Sequence, residues 1–463
     1  MKLVLISLLI ISAIATPDYG LPSDFKLDKK EKGFKQTTFS NVLDHFNPGD
    51  DRTYEQRFWY SAEGFDEKKG PIFVYICGEY ECGVQEERMF PYNVSREWKA
   101  SFFFVEHRFY GESQPFKNLA TDNLRYLTSR HALADLALFI SEVNKKLISE
   151  FGGEKRKVIV VGGSYPGALS AWFREKYPHI ADASWASSAV IKAIEDYDMF
   201  DYQVYNSTTR SNLYCTGTVE NLTVVYDRLV DQGNRDEVNK IKKSCNASSL
   251  TDADFAFYFA DVITISVQYG GRTELCDFLE SLAGVDILEQ YGKIAEYAKD
   301  EVSASEYDRK QLKSTKIIPS NPGRAWTYQY CSEFGFFQIP YKSVMMRSKL
   351  LEHEYWVDLC HDVFGQNLVA SQARDSNIYY GSDHAKGSNI YFVNGGEDPW
   401  QWAGQLESIK SQNVQSDLLQ CVDCGHCVEL YNEKDTDPIE VKKTRSNIKA
   451  WLKKILKSSH SMD

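Results

Sequence analysis

The apolar positions in the first part of the chain form short continuous runs separated by helical repeats. Residues 71–77 (PIFVYIC), 102–106 (FFFVE) and 157–161 (KVIVV) are bounded by glycine or polar turns and predict buried strands. Helical spacing predicts helices over 130–147 and from about Pro166 to Tyr177. This succession of strands and helices is typical of a parallel sheet with crossover helices.

The pattern changes between about residues 195 and 375. Apolar runs become less strand-like, and helical periodicity appears over 225–243, 252–267 and 284–299. This stretch predicts a mostly helical insertion.

The strand and helix rhythm returns near the end of the chain. Residues 390–394 (IYFVN) and 417–421 (DLLQC) predict strands, and 440–456 predicts a closing amphipathic helix. We therefore expect one α/β domain in two parts, 16–194 and 376–463, around a helical insertion over 195–375.

The first fifteen residues have the features of a secretory signal peptide. Lys2 is followed by an apolar run from Leu3 to Ile11 and by the small-x-small pattern Ala13-Ile14-Ala15, which predicts cleavage after Ala15. The alternative is a membrane anchor, for which this run is short.

Composition narrows the class of protein. A net charge of −12 leaves no basic excess for nucleic acid, and 14% aromatic residues argue against disorder. Ten cysteines in an exported chain suggest disulfides. Glycosylation sequons add to the prediction of a secretory-route protein, and they begin at Asn93, Asn206, Asn221 and Asn246.

The sharpest chemical signal is the segment KVIVVGGSYPGALSAWF. Ser164 lies on a glycine-rich turn between a predicted strand and a predicted helix, which is the context of a nucleophile elbow in an α/β-hydrolase fold. Gly162 fills the first glycine position of G-x-S-x-G, but Pro166 occupies the last, with Gly167 one residue later. The alternative is an ordinary glycine turn before a helix.

A serine nucleophile needs a base and a group that orients the base. In an α/β-hydrolase these follow in the order serine, acid, histidine. Asp398 follows a predicted strand in NGGEDPW, with Glu397 as the competing carboxylate, and His426 lies on a later loop in CVDCGHCVEL. His107 precedes Ser164, which is the wrong order for the base.

The run of Cys421, Cys424, His426 and Cys427 is also a candidate zinc site. No second cluster at suitable spacing supports it, and thiols in an oxidising compartment tend to pair.

Two further segments are candidates for supporting roles. The loop ICGEYECG follows a predicted strand, so a backbone N–H near Gly78 would form an oxyanion hole with the N–H of Tyr165. A plain β-turn is the alternative for this loop. Glu106 and Arg108 of EHRFYGES are more typical of a structural ion pair than of catalysis.

Several long motifs together resemble a known family. EHRFYGES, GGSYPGALSAWFREKYPH, GRAWTYQYCSEFGFFQ and FVNGGEDPW are similar to the serine peptidases that include lysosomal Pro-X carboxypeptidase, dipeptidyl peptidase II and thymus-specific serine protease. The first and third motifs most resemble the thymus-specific branch. The resemblance extends from FSNVLDHFNP to the closing helix.

The resemblance implies an α/β-hydrolase domain with a helical cap and a triad of Ser164, Asp398 and His426. It further implies that Trp400 helps to shape a proline-accepting pocket. Family members are exopeptidases of the lysosome or the secretory route, often cut after proline, are in several cases homodimers, and need no metal or organic cofactor. Pro166 stands where better-known members have glycine or alanine.

The resemblance leaves the anchored end of the peptide substrate open. A cation in the site would hold a substrate carboxylate, and an acidic group would hold its amine. Glu333 is a candidate for the second role, and an internal hydrogen-bonding role in the cap is its alternative. Two rival functions remain, an esterase or lipase on the same fold and a non-catalytic binding protein that keeps it.

Overall fold

A computed structural model describes residues 19–458. The predicted signal peptide, residues 1–15, lies outside the described residues. Ten strands are formed, and in chain order they are β1 (Lys35–Val42), β2 (Thr53–Ser61), β3 (Ile72–Ile76), β4 (Ser101–Val105), β5 (Val158–Gly163), β6 (Ala183–Ser187), β7 (Ile194–Asp196), β8 (Gly335–Phe337), β9 (Ile390–Gly395) and β10 (Val414–Leu419).

Eight of the strands form one sheet in the order β1-β2-β4-β3-β5-β6-β9-β10. The strands β4, β3, β5, β6, β9 and β10 run parallel to one another, whereas β2 is antiparallel to both β1 and β4. The strands β7 and β8 form a separate parallel pair. This is the mostly parallel sheet of the α/β-hydrolase fold.

Within residues 19–458, fifteen α-helices surround and extend the sheet. They are α1 (Phe90–Glu97), α2 (Thr121–Leu124), α3 (Ser129–Phe151), α4 (Tyr165–Lys176), α5 (Asp198–Thr209), α6 (Leu213–Asp231), α7 (Arg235–Ser244), α8 (Asp252–Gln268), α9 (Arg272–Ser281), α10 (Ile287–Tyr297), α11 (Arg309–Lys313), α12 (Gly323–Gln329), α13 (His353–Phe364), α14 (Ala373–Tyr380) and α15 (Ile439–Lys457).

Alternate residues of the central strands bury opposite faces of the sheet. In β5, Val158 and Val160 join the core that includes α3 and α4, whereas Ile159 and Val161 join the core under α1 and α15. Both faces are covered by helices, so the central strands β3, β4 and β5 are buried along their whole length, as their apolar runs predict.

Most predicted elements are confirmed to within a few residues, and two need correction. The helix predicted over 225–243 is two helices, because the chain turns at Gly233 with φ of 65° and Asn234 caps the start of α7. The strand predicted over 417–421 begins earlier, at Val414, and ends at Leu419.

Three strands of the large sheet were not predicted. The strands β1 and β2 form its antiparallel edge, and β6 has the sequence ASWAS, whose small residues give no apolar run. Between β6 and β9 the chain forms α5 to α14 together with the β7 and β8 pair. The domain boundaries at 194 and 375 stay predictions.

Eight of the ten cysteines form disulfides, as we expect for a protein of the secretory route. The bonds join Cys77 to Cys82, Cys215 to Cys276, Cys331 to Cys360 and Cys421 to Cys424. Two buried cysteines, Cys245 and Cys427, are free. Within residues 19–458, no helix is both long and apolar enough to cross a membrane.

Candidate active site

Ser164 lies at the tip of a sharp turn between β5 and α4. Its φ of 65° is in the left-handed region, which is strained for a residue with a side chain. The backbone N–H of Ser164 donates to the carbonyl of Ser187 at 2.9 Å, which ties the turn to the end of β6. The strand, strained turn and helix have the form expected of a nucleophile elbow.

The loop after β3 packs directly on this turn. A β-carbon at Gly78 would stand 2.7 Å from Cδ of Pro166 and closer still to its Cγ, so only glycine fits there. Tyr165 is the first residue of α4, where backbone N–H groups have no acceptor within the helix. Of the two predicted oxyanion positions, Gly78 therefore packs against the residue that follows Tyr165.

His426 and Asp398 form a buried pair. Nδ1 of His426 lies 2.6 Å from Oδ2 of Asp398, and the backbone N–H of Trp400 donates to Oδ1 of Asp398 at 2.9 Å. The other ring nitrogen, Nε2 of His426, is buried and has no hydrogen-bond partner. This arrangement leaves Nε2 free to exchange a proton.

The environment of His426 changes its acidity. Burial opposes the charged imidazole most strongly, but the charge and hydrogen bond of Asp398, together with the neighbouring Cys427, raise the pKa of His426 well above its ordinary value. The carboxylate of Asp398 therefore favours the imidazolium form of His426, the form that results when the imidazole accepts a proton.

The histidine loop and the elbow are in contact. A β-carbon at Gly163 would stand 2.7 Å from Sγ of Cys427, so the residue before Ser164 touches the residue after His426. The backbone N–H of Cys427 also donates to Oγ of Ser188 at 2.9 Å. The turn of the predicted nucleophile and the loop of the predicted base are thus in contact, although 262 positions separate Ser164 from His426 in the chain.

The competing carboxylate, Glu397, has different partners. Its side chain is fully buried and accepts from Nε and Nη2 of Arg272, each at 3.0 Å, while Arg210 also lies 3.0 Å from it. Asp398, not Glu397, meets the imidazole.

The helix α8 supports both loops. The backbone N–H of His426 donates to the carbonyl of Gln268 at 2.6 Å, and the indole N–H of Trp400 donates to Oε1 of Gln268 at 3.0 Å. Gln268 and Arg272 carry no motif of their own in the sequence, and only the folded chain places Gln268 beside His426 and Arg272 beside Glu397.

A cavity of about 310 Å³ opens beside Ser164. Trp400 lines it and packs edge-on against Phe200 at 4.9 Å and against Phe336 at 5.3 Å. Glu79, the residue after Gly78, also lines the cavity, and burial raises the pKa of its carboxyl. A volume of this size suits a small ligand or a few residues of a peptide.

The family model that describes serine carboxypeptidase S28 matches residues 41–448 of this chain. The chain belongs to the S28 family of serine peptidases. It is therefore a serine-type peptidase.

Curated S28 relatives match along most of their length. A probable serine protease of Arabidopsis thaliana is 36% identical over 400 residues, covering 84% of this chain and 79% of that protein. The human thymus-specific serine protease is 30% identical, covering 89% and 85%, and the mouse lysosomal Pro-X carboxypeptidase is 27% identical, covering 96% and 92%.

A polar network in this S28 peptidase anchors the elbow from the helical side. The hydroxyl of Tyr165 accepts from Nε2 of Gln329 at 3.0 Å and lies 3.0 Å from Nε2 of His107. Tyr110 donates to Oε1 of Gln329 at 2.5 Å. The motifs EHRFYGES and GRAWTYQYCSEFGFFQ therefore meet at the residue that follows Ser164.

Glu333 is not among the residues that line the cavity. Its carboxylate accepts hydrogen bonds from the backbone N–H and the hydroxyl of Ser129, at the start of α3. These contacts match the internal hydrogen-bonding alternative for Glu333.

Glu106 and Arg108 have structural partners, but they do not pair with each other. Glu106 is bound by Arg57 at 2.6 Å, and Arg108 is bound to Asp135 at 2.6 Å. All four are buried.

Proposed function

We propose that this S28 peptidase is a serine exopeptidase in which Ser164 is the nucleophile, His426 the base and Asp398 the group that orients the base. The observation that carries the proposal is the buried pair of Asp398 and His426, whose unpartnered Nε2 belongs to a loop that touches the strained turn of Ser164. These are the parts that acyl transfer to a serine needs.

The proposed reaction proceeds in two halves. His426 takes the proton of Ser164 while Oγ attacks the scissile carbonyl, and Asp398 stabilises the imidazolium that forms. The N–H of Tyr165 and a donor near Gly78 bind the oxyanion. His426 then gives its proton to the leaving amine, and water hydrolyses the acyl-enzyme by the same steps.

The size and position of the cavity support action near chain ends. We propose that residues 195–375 form a cap over the site, because residues of α5, α8, α12 and α13 line the cavity. A cavity of about 310 Å³ admits a few residues rather than a folded loop. The indole of Trp400, half-buried against Phe200, offers a flat apolar surface on which a proline ring would pack.

A mass-spectrometric digest of a mixed peptide library tests this function. The secreted wild type should shorten peptides from one end, and Ser164→Ala should lower turnover by about 10⁴ to 10⁶-fold. A fluorophosphonate probe should label Ser164 in the folded wild type. Full activity of folded Ser164→Ala would contradict the assignment, and cleavage of short acyl esters without any peptide cleavage would favour an esterase.

The secretory route is indicated by the four disulfides, and we propose a glycosylated lysosomal or extracellular protein. The side chains of the sequon residues are all exposed, as glycan attachment requires, at Asn93, Asn206, Asn221 and Asn246. Expression in a secreting cell should give a product that begins at Thr16 and loses mass on treatment with an N-glycosidase. The homodimer stays a prediction, which light scattering of this product would check.

A further inference from the structure

The cavity beside Ser164 is strongly acidic. Four carboxylates line it, those of Glu79, Asp261, Glu301 and Glu306. Of the described residues that line it, none is lysine, arginine or histidine. Such a lining attracts a cation and repels a carboxylate, because a cleft of one charge sign focuses its field on the ligand.

Glu79 differs from the other three carboxylates. Its Oε2 is buried and has no hydrogen-bond partner. Asp261 already accepts from Arg347 and from the hydroxyl of Tyr307, each at 2.8 Å, and the other two residues, Glu301 and Glu306, are exposed. Among the four carboxylates that line the cavity, Glu79 is thus the one with a buried oxygen that no hydrogen bond compensates.

A buried carboxylate oxygen without a partner is costly, and a positively charged donor compensates that cost best. The positive charges that act on Glu79 are those of His426 and Arg88. Both lower the pKa of Glu79, whereas burial raises it. Neither of them lines the cavity, and the guanidinium of Arg88 stacks over the ring of Tyr431 at 5.5 Å. The cavity side of Glu79 is therefore left for the substrate.

We propose that this enzyme holds its peptide substrate by the free amino terminus, with Glu79 accepting hydrogen bonds from the α-ammonium group. The inference rests on the proposed function and extends it. With the amino terminus anchored beside Ser164, the enzyme would cleave near the amino end of the peptide, as an aminopeptidase or a dipeptidyl peptidase does. A cation would hold the carboxylate of a carboxypeptidase substrate most strongly, and the described lining has none.

Three versions of one short peptide test the direction of attack on the wild type. The first has both ends free, the second is acetylated at the amino end, and the third is amidated at the carboxyl end. Acetylation should lower kcat/KM by at least about 100-fold, because it removes the charge and leaves Glu79 unpaired. Amidation should change kcat/KM by less than about threefold, because the described cavity lining has no cation to bind the substrate carboxylate.

Glu79→Gln tests the residue itself. It should raise KM for the free peptide by about 10 to 100-fold, which is the usual value of a charged hydrogen bond. Glu81→Gln is the matched control, because Glu81 belongs to the same loop, lies 3.2 Å from Arg57 and does not line the cavity. It should keep wild-type kinetics.

The outcomes separate this inference from the proposed function. If amidation blocks cleavage and acetylation does not, the direction of attack is overturned while the serine exopeptidase stands. If acetylation blocks cleavage but folded Glu79→Gln keeps the wild-type KM, the assignment to Glu79 is wrong. If the wild type cleaves none of the peptides although a fluorophosphonate labels its Ser164, the proposed function is overturned. Should Glu79→Gln fail to fold, the modified peptides decide the direction on the wild type.

Discussion

Gly78 and Pro166 fit each other at the entrance to α4, because the ring of Pro166 occupies the space that a side chain at Gly78 would need. Pro166 is also the position at which the elbow departs from G-x-S-x-G. The departure is accommodated by a glycine in a different loop, nearly ninety positions earlier in the chain.

This contact predicts a pair of compensating substitutions. Gly78→Ala should lower kcat/KM by about 100-fold, because its β-carbon would displace the loop that carries the proposed oxyanion donor. Adding Pro166→Ala should restore most of the activity, because it removes the Cγ and Cδ atoms that collide with the new β-carbon. The Cβ of residue 166 would then be the nearest side-chain atom, at 3.8 Å from the β-carbon at position 78. Steady-state kinetics on the single and double variants checks this, with Pro166→Ala alone as control. Equal losses in Gly78→Ala and the double variant would contradict the steric account.

The pair of Asp398 and His426 predicts a pH dependence. His426 accepts a proton only when neutral, so wild-type kcat/KM should rise with pH through a pKa above the ordinary histidine value. Asp398→Asn removes the negative charge that raises this pKa, so the acid limb should move to lower pH. The same change should lower kcat by about 10⁴-fold, because the imidazole loses its orienting carboxylate. A pH profile of both proteins checks the direction, and an unmoved limb would show that His426 is not the titrating base.

The buried charges of Glu397 and Arg272 predict a loss of stability. Arg272→Met should lower the free energy of unfolding by up to about 3 to 5 kcal/mol, because it leaves Glu397 buried with fewer partners. Adding Glu397→Gln should recover part of the loss. Lys299→Met removes a surface pair with Glu296 and is the control that should change nothing measurable. Urea unfolding of the four proteins checks the order, and an equal loss in the double variant would argue against charge as the cause.

The disulfides should differ in their contribution to stability. The bond of Cys215 to Cys276 closes a separation of 61 positions, whereas that of Cys421 to Cys424 closes only three. Loop entropy predicts about 4 kcal/mol for the first and less than about 2 kcal/mol for the second. Thermal midpoints of the two double-serine variants should therefore fall further for the first pair. The reverse order would indicate that the loop of His426 depends on its short bridge for more than chain entropy.

The order of the candidate residues could be predicted because each belongs to a local pattern. Ser164 follows an apolar strand and precedes a helix, Asp398 follows a strand at a double glycine, and His426 follows the last strand. Local periodicity also places the central strands and the longest helices. It could not reveal β6, because ASWAS has no apolar run although all five of its residues are buried.

The sequence by itself determined the central strands β3, β4, β5 and β9, the serine peptidase family and the residues that compete for each role, because those depend on short-range pattern and motif. Only the tertiary structure decided between neighbours in the chain. It turned Asp398 toward His426 and Glu397 toward Arg272, and it tied Glu333 to Ser129. It left Oε2 of Glu79, a residue that lines the cavity, buried without a hydrogen-bond partner. The physical reason is that a charge is compensated by groups that are close in space, and these come from parts of the chain that sequence spacing cannot bring together.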